Sequence, residues 1–404
     1  MAATSLYFHI PFCNRRCGYC DFNTFAGMKT FIPQYVQTIC KELEIVSQSS
    51  QERISVGTVF FGGGTPSLLS VEQFRSILKT VKVVFDLAPD AEITLEANPG
   101  TVNKQSLTGL KACGFNRISF GMQSANVDDL RILNRQHRHE DVIQAVAWSK
   151  QAGFEHINLD LIFGIPGQTL ESWQRTLELA LMEKIDHFSL YSLIVEDGTP
   201  LERWISRGLL AEPDNDLAAG IYETAMQVLD RAGYEQYEIS NWALGGKVDN
   251  RCRHNLQYWR GLPYLGFGAG AHGFFNGIRT ENAYGIEEFI NRVNRSKSTD
   301  FPAGPAYVSA SRLSLWDRMQ EFLMVGFRLT AEGVSRADFK EKFGYPMESF
   351  FSKQIEYLEK NKLIERHPRD DDRLRLTQRG ILLGNQVFAQ FVGNREPEEL
   401  KRNN

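Results

Sequence analysis

Along the first half of the chain, short apolar, β-branched-rich runs alternate with longer stretches in which apolar residues recur every three or four positions. This pattern predicts strands at Leu6–Ile10, Thr58–Phe61, Ile93–Glu96, Arg117–Phe120, Ile157–Ile162 and Phe188–Leu193. Between them it predicts helices at Ile32–Val46, Val71–Val84, Ser106–Cys113, Val142–Ala152 and Leu170–Leu181. Regular strand–helix alternation implies parallel βαβ units, closed into a barrel or laid out as an open sheet. Residues useful to chemistry recur at the predicted strand ends: Gly62-Gly63-Gly64, Glu96, Gln123 and Asp160. In a barrel, the C-terminal strand ends build the site.

Beyond Pro200 the alternation decays into a helix, Leu217–Ala232, an extended piece, Glu235–Ile239, and a glycine- and aromatic-rich stretch. Pro302, Gly304 and Pro305 punctuate a boundary. Residues 1–300 therefore read as one α/β domain and 305–392 as a second. The second is expected to hold helices at Ser314–Leu329, Ser335–Phe343 and Met347–Lys360. A hairpin of Leu363–Glu365 and Leu374–Leu376 and a last helix to Val392 complete a winged-helix-like order, with 393–404 as a polar tail.

Composition narrows the function. Of 404 residues, 45 are Lys or Arg and 49 Asp or Glu, a net charge of −4, which argues against bulk attraction to nucleic acid or anionic lipid. At 42% hydrophobic, the chain can bury a large core. No run approaches the roughly 18 apolar residues of a membrane span, and no secretory signal opens the sequence. Three of the six cysteines crowd into one short segment and Cys40, Cys113 and Cys252 are scattered, which is not a disulfide framework. The expected location is the cytoplasm, with reduced thiols. Cys40 and Cys113 lie on apolar helical faces and read as packing residues.

Cys13-Asn-Arg-Arg-Cys17-Gly-Tyr-Cys20 is the sharpest signal. Structural zinc favours four ligands in two separated pairs, and no second pair is present. Three thiolates on a [4Fe–4S] cube leave one iron open to a small molecule, and Arg15 and Arg16 offset the negative charge. After the second predicted strand comes Phe61-Gly62-Gly63-Gly64-Thr65-Pro66, a turn with room for close backbone approach.

The cysteine spacing followed by this turn resembles the radical S-adenosylmethionine (SAM) superfamily. Within it, nearly the whole chain resembles the oxygen-independent coproporphyrinogen III oxidases and the related heme chaperones. The resemblance implies an incomplete (β/α)6 TIM-like barrel, a [4Fe–4S] cluster on Cys13, Cys17 and Cys20, and bound SAM. It further implies SAM contacts from Tyr7, Tyr19, Gly63, Gly64 and Thr65. Glu96 in Leu-Glu-Ala-Asn-Pro, Gln123 in Gly-Met-Gln-Ser, Arg135 in Leu-Asn-Arg-Gln and Asp160 in Asp-Leu-Ile-Phe-Gly complete the set. The chemistry suits them: carboxylates accept from an ammonium or ribose hydroxyls, and an arginine pairs with a carboxylate bidentately.

Three departures separate the chain from the oxidases. Cys20-Asp21-Phe22 lacks their further cysteine two places on, and only 12 residues precede Cys13, where the oxidases carry a longer arm. The third is His254-Asn255-Leu256-Gln257-Tyr258-Trp259, which matches the His-Asn-x-x-Tyr-Trp motif of the heme chaperones. In that reading His254 is a candidate axial ligand with Cys252 as a second, and Tyr258 and Trp259 offer flat faces to the macrocycle. Asn255 completes the motif, and Arg251, Arg253 and Arg260 are candidates to meet the propionates. Without that context, a histidine beside aromatics is commonly a hydrogen-bonded packing residue. The motif does not show which atom binds iron.

The resemblance thus implies a heme chaperone that binds heme and delivers it to acceptor proteins, respiratory ones among the candidates, as a monomer or a heme- or cluster-linked homodimer. The alternative is radical-based oxidative decarboxylation of coproporphyrinogen. A nucleic-acid role for the second domain is weakest, because Asp370-Asp371-Asp372 stands among its arginines. Gly268-Ala-Gly270-Ala-His-Gly273 fits a dinucleotide fingerprint by letters but opens no helix in a βαβ unit, so it reads as a turn, with His272 a minor candidate for a cofactor contact.

Overall fold

A computed structural model describes residues 3–401. Six parallel strands form its centre in chain order: Thr4–Ile10, Ser55–Gly63, Asp86–Ala97, Arg117–Gln123, His156–Phe163 and His187–Ser192. Helices Ile32–Ser49, Val71–Val84, Lys104–Cys113, His139–Ala152 and Leu170–Met182 connect them, so each predicted unit of the incomplete barrel is present. The helix starts have local causes. Ser70, Asn103 and Thr169 each accept from the backbone N–H three residues on and donate their own backbone N–H to that residue's side chain in return.

Alternation along the strands divides the layers. In the first strand Leu6, Phe8 and Ile10 are fully buried in the main hydrophobic core, whereas Ser5, Tyr7 and His9 occupy the opposite face. The same alternation sets Thr58, Glu92, Glu96, Arg117, Ser119, Asn158 and Asp160 on the inner face of neighbouring strands, and the barrel interior is polar.

The sheet is wider than the six predicted strands. It has twelve, extended at one edge by Asn241–Leu244 and Tyr234–Glu238, and at the other by Tyr264–Phe267, His272–Phe275, Ile278–Asn282 and Tyr307–Arg312. Tyr264–Phe267 runs parallel to the first strand, with Leu265 beside Leu6. The glycines of the dinucleotide-like segment form the tight turn into His272–Phe275, where Gly268 donates to the Glu42 carboxylate at 2.9 Å. The large sheet therefore continues beyond Pro305.

From Ser314 onward the chain builds a second core. Helices Leu315–Gly326, Arg336–Phe343 and Glu348–Lys360 pack with a three-stranded sheet of Val334–Ser335, Asp370–Leu376 and Ile364–His367. The expected last helix is broken into Gln378–Leu382, Gly384–Phe388 and a 3-10 turn at Ala389–Phe391, because Leu383 leaves helical geometry ahead of Gly384. The expected polar tail is held as far as it is described. Trp316 Nε1 donates to the Asn394 carbonyl at 2.8 Å and Leu400 is buried in the second core, while residues 402–404 lie outside the described part.

Candidate functional site

At the C-terminal strand ends lies a cavity of about 440 Å³. It brings together Cys13, Cys17 and Cys20 with Tyr19, Gly63, Gly64 and Thr65, and also Glu96, Gln123, Arg135 and Asp160. The cysteine loop follows the first strand directly and is seated on the glycine turn. A Cβ on Gly64 would stand 2.7 Å from the Phe12 carbonyl oxygen, and Gly63 has φ +108° with its Cβ position 2.5 Å from the His9 ring. Gly64 is thus demanded by the seat of the loop, and Gly63 by its left-handed backbone and the His9 ring beside it.

No disulfide ties the cysteines. Among the described residues, no three His, Cys, Asp or Glu side chains converge on a single-ion site. In a cube each thiolate binds a different iron, so three thiols spaced around one cavity fit a [4Fe–4S] cluster better than one ion. Thr65 Oγ1 donates to Cys13 Sγ at 3.6 Å and Arg135 Nη1 to Cys17 Sγ at 3.5 Å, as suits thiolates.

The polar groups of the cavity are held in place from behind. Asp160 accepts from Ser119 Oγ at 2.7 Å and from Asn158 Nδ2 at 2.8 Å. Among the described residues Glu96 accepts from the Gly63 backbone N–H alone, at 3.2 Å, and burial, then Asp160, pushes its carboxyl up to about 8. It is a carboxyl prepared to ionise when a cation arrives. Among the described residues no carboxylate pairs with Arg135; it donates to the Gly121 carbonyl at 2.8 Å, to Asn98 Oδ1 and to Cys17. Gln123 ends its strand with φ +65°. Ser119 and Asn158 carry no motif of their own, and only their strand register could have pointed to them, whereas Asn98 stands inside Leu-Glu-Ala-Asn-Pro and was passed over for Glu96.

Tyr7 is the exception among the predicted SAM contacts. Its hydroxyl bonds His9 Nδ1 at 3.1 Å and its ring stacks on Phe60, on the inner barrel wall rather than in the cavity lining. His9, which no motif flagged, reaches on through Nε2 to the Asn23 carbonyl at 2.8 Å and so ties the barrel wall to the chain just after the cysteines.

The hexapeptide lies at the other end. Helix Arg253–Trp259 closes the barrel at the N-terminal strand ends. Glu92 accepts from the backbone N–H groups of Arg253 and His254 at 3.1 and 2.9 Å and from Arg117 Nε at 2.9 Å. Arg117 also donates to the Asn250 and Arg251 carbonyls, so this buried ion pair clasps the segment. Burial pushes the Glu92 carboxyl up, but Arg117 and the two N–H groups outweigh it and hold it below its ordinary value.

His254 is 1% exposed. Thr58 Oγ1 donates to Ser5 at 2.7 Å, so it accepts from His254 Nδ1 at 2.7 Å; His254 Nε2 then accepts from Tyr258 Oη at 3.0 Å. With both nitrogens engaged and the ring stacked on Phe60 at 4.9 Å, His254 does not fit an axial ligand as it stands. Cys252 is buried beside Glu92 and its thiol is pushed up by burial, then by Glu92, so it does not fit either. Nor are the flanking arginines free for propionates: Arg251 and Arg260 pair with Glu332, Arg251 also with Asp249, and Arg253 with Asp90. Asn255, Tyr258 and Trp259 are partly exposed, and His272 is exposed on its strand.

An incomplete barrel with a three-cysteine loop, a glycine turn and a polar cavity at its strand ends defines the radical SAM class. The Radical SAM superfamily matches residues 7–180 and the HemN C-terminal domain residues 313–383. The chain is 36% identical to the heme chaperone HemW of Bacillus subtilis over 96% of its length and 99% of the relative's. It is 41% identical to that of Mycobacterium tuberculosis, over 96% and 94%. The chain belongs to the HemW family. In fold it is similar to coproporphyrinogen III oxidase (HemN) from Escherichia coli, a radical SAM enzyme, with TM-score 0.81, 22% identity and coverage of 97% of this chain and 90% of that one. Among the described residues, no helix is long and apolar enough to cross a membrane.

Proposed function

We propose that the chain is a heme chaperone, which takes heme as its cargo and passes it to acceptor proteins while carrying a [4Fe–4S] cluster and SAM. The observation that carries this is the similarity to HemW relatives along nearly the entire length of both chains.

Cys13, Cys17 and Cys20 would hold the cluster, which when bound supplies an open iron and an electron. The remaining work falls to the chain itself. Arg135, buried and paired with no carboxylate among the described residues, is placed for the SAM carboxylate. Glu96 would release its proton to water and pair with the SAM ammonium, and Asp160, fixed by two donors, would receive a ribose hydroxyl. Tyr19 and the Gly63–Thr65 turn wall the methionyl end.

An anaerobic heme titration of the cluster-loaded protein, followed at the Soret band, tests the proposal. Saturable binding and transfer to an apo-acceptor are expected. No saturable binding, or conversion of coproporphyrinogen to protoporphyrinogen as the main activity, would overturn it.

A further inference from the structure

The hexapeptide ends beside a second cavity, about 310 Å³, between the sheet edge and the C-terminal domain. Its construction is that of a slot. One wall is a lateral row across three adjacent strands, where Tyr264 pairs with Phe274 and Phe274 with Arg279. The facing wall is one side of helix Leu315–Gly326, carrying Arg318, Glu321, Phe322 and Val325 at intervals of three or four residues. Tyr258 and Trp259 close one end, and Lys342 reaches in from helix Arg336–Phe343.

The charge in the slot is unbalanced. Arg279 is neutralised by Glu321, with two contacts at 2.8 and 2.9 Å. No carboxylate among the described residues pairs with Arg318 or Lys342; Lys342 donates only to the Gly261 carbonyl at 2.9 Å. Burial, then Arg318, lowers the Lys342 pKa, which marks two uncompensated cations near each other. Arg318 Nε and Trp259 Nε1 are both buried without a hydrogen-bond partner. Such orphaned donors call for an acceptor. Three cations against one carboxylate leave a net charge of plus two, beside the rings of Tyr264 and Phe274 on the sheet wall and Phe322 on the helix.

We propose that this slot, rather than the barrel interior around His254, receives the heme macrocycle, with Arg318 and Lys342 meeting its two propionates. This rests on the chaperone reading and gives it a place. A flat ring is recognised by aromatic faces, and a dianionic edge by charge-assisted hydrogen bonds. Tyr258 belongs to both regions: its hydroxyl closes His254 Nε2, and it lines the slot. The slot lies at the junction of the sheet edge and the second domain, separate from the cavity with the cysteines, so cargo and cluster occupy different parts of the molecule.

The test is the Soret titration repeated on the full-length, cluster-loaded Arg318→Glu/Lys342→Glu variant. Heme affinity should fall at least roughly tenfold, the scale of losing charge-assisted contacts, with iron and sulfide content and SAM binding unchanged. If the charge reversals cost the melting transition, Arg318→Gln/Lys342→Met serves instead with the same expectation. A change of less than about threefold in a folded variant overturns the slot while leaving the chaperone reading standing. No saturable binding by the unchanged protein removes both.

Discussion

Substituting His254 by phenylalanine separates its packing from its polarity and its titration. The ring is 1% exposed and stacks on Phe60, so a phenyl group keeps most of the shape. Two effects follow. At neutral pH, Tyr258 loses the acceptor of its buried hydroxyl and Thr58 its donor, a cost on the order of 1–3 kcal/mol. The second effect is the linkage to pH. Burial lowers the His254 pKa from 6.5 to about 4, so the folded protein refuses a proton that the unfolded chain accepts. Above the unfolded value nothing is lost. As pH falls below it, the wild type loses about 1.4 kcal/mol per pH unit until the folded group titrates. Between about pH 7.5 and about pH 5.5 this amounts to on the order of 1 kcal/mol, and the phenylalanine variant lacks it. Urea unfolding of both proteins at the two pH values, followed by far-UV circular dichroism, measures the difference. The wild type should lead by the hydrogen-bond cost near pH 7.5, and the gap should narrow by on the order of 1 kcal/mol near pH 5.5. Groups whose shifts owe nothing to His254, such as His137, are common to both proteins and cancel. An unchanged gap would refute a neutral His254 locked between two hydroxyls.

Arg117→Met leaves the Glu92 carboxylate buried without its cation, and should destabilise by roughly 3–5 kcal/mol in a denaturant titration. Gly64→Ala forces a methyl group against the carbonyls of Phe12 and Ile10, so anaerobic reconstitution should yield much less iron and sulfide than the unchanged chain, and equal loading would contradict the seating of the loop. Glu96→Gln removes the carboxylate proposed for the SAM ammonium, and calorimetry should show SAM affinity down by roughly tenfold or more with heme affinity intact. Cys17→Ser should abolish the brown chromophore, and unchanged iron and sulfide would remove Cys17 as a ligand.

Much of this protein is local in origin. The six strands and their helices follow from the two hydrophobic periods, and the capping residues Ser70, Asn103 and Thr169 sit where the sequence can be read directly. The cysteine spacing and the glycine turn were legible because both are backbone devices a few residues long. Register then carried Glu96, Gln123 and Asp160 to one rim, since strand ends in a βαβ barrel point the same way.

What only the tertiary structure decided are contacts between segments far apart in the chain. Tyr264–Phe267 joins the sheet beside the first strand, and Glu92 with Arg117 clasps residues more than a hundred positions later. His254 read as an available imidazole because hexapeptide chemistry is visible in sequence, whereas Thr58 and Tyr258, which occupy its nitrogens, are found only by folding. The slot beside Trp259 was equally hidden: its walls are drawn from a sheet edge and a separate domain. Short-range order follows from propensity and period, which a linear chain displays. The burial, charge and hydrogen-bond saturation of a side chain depend on what the rest of the chain packs against it, and no local pattern contains that.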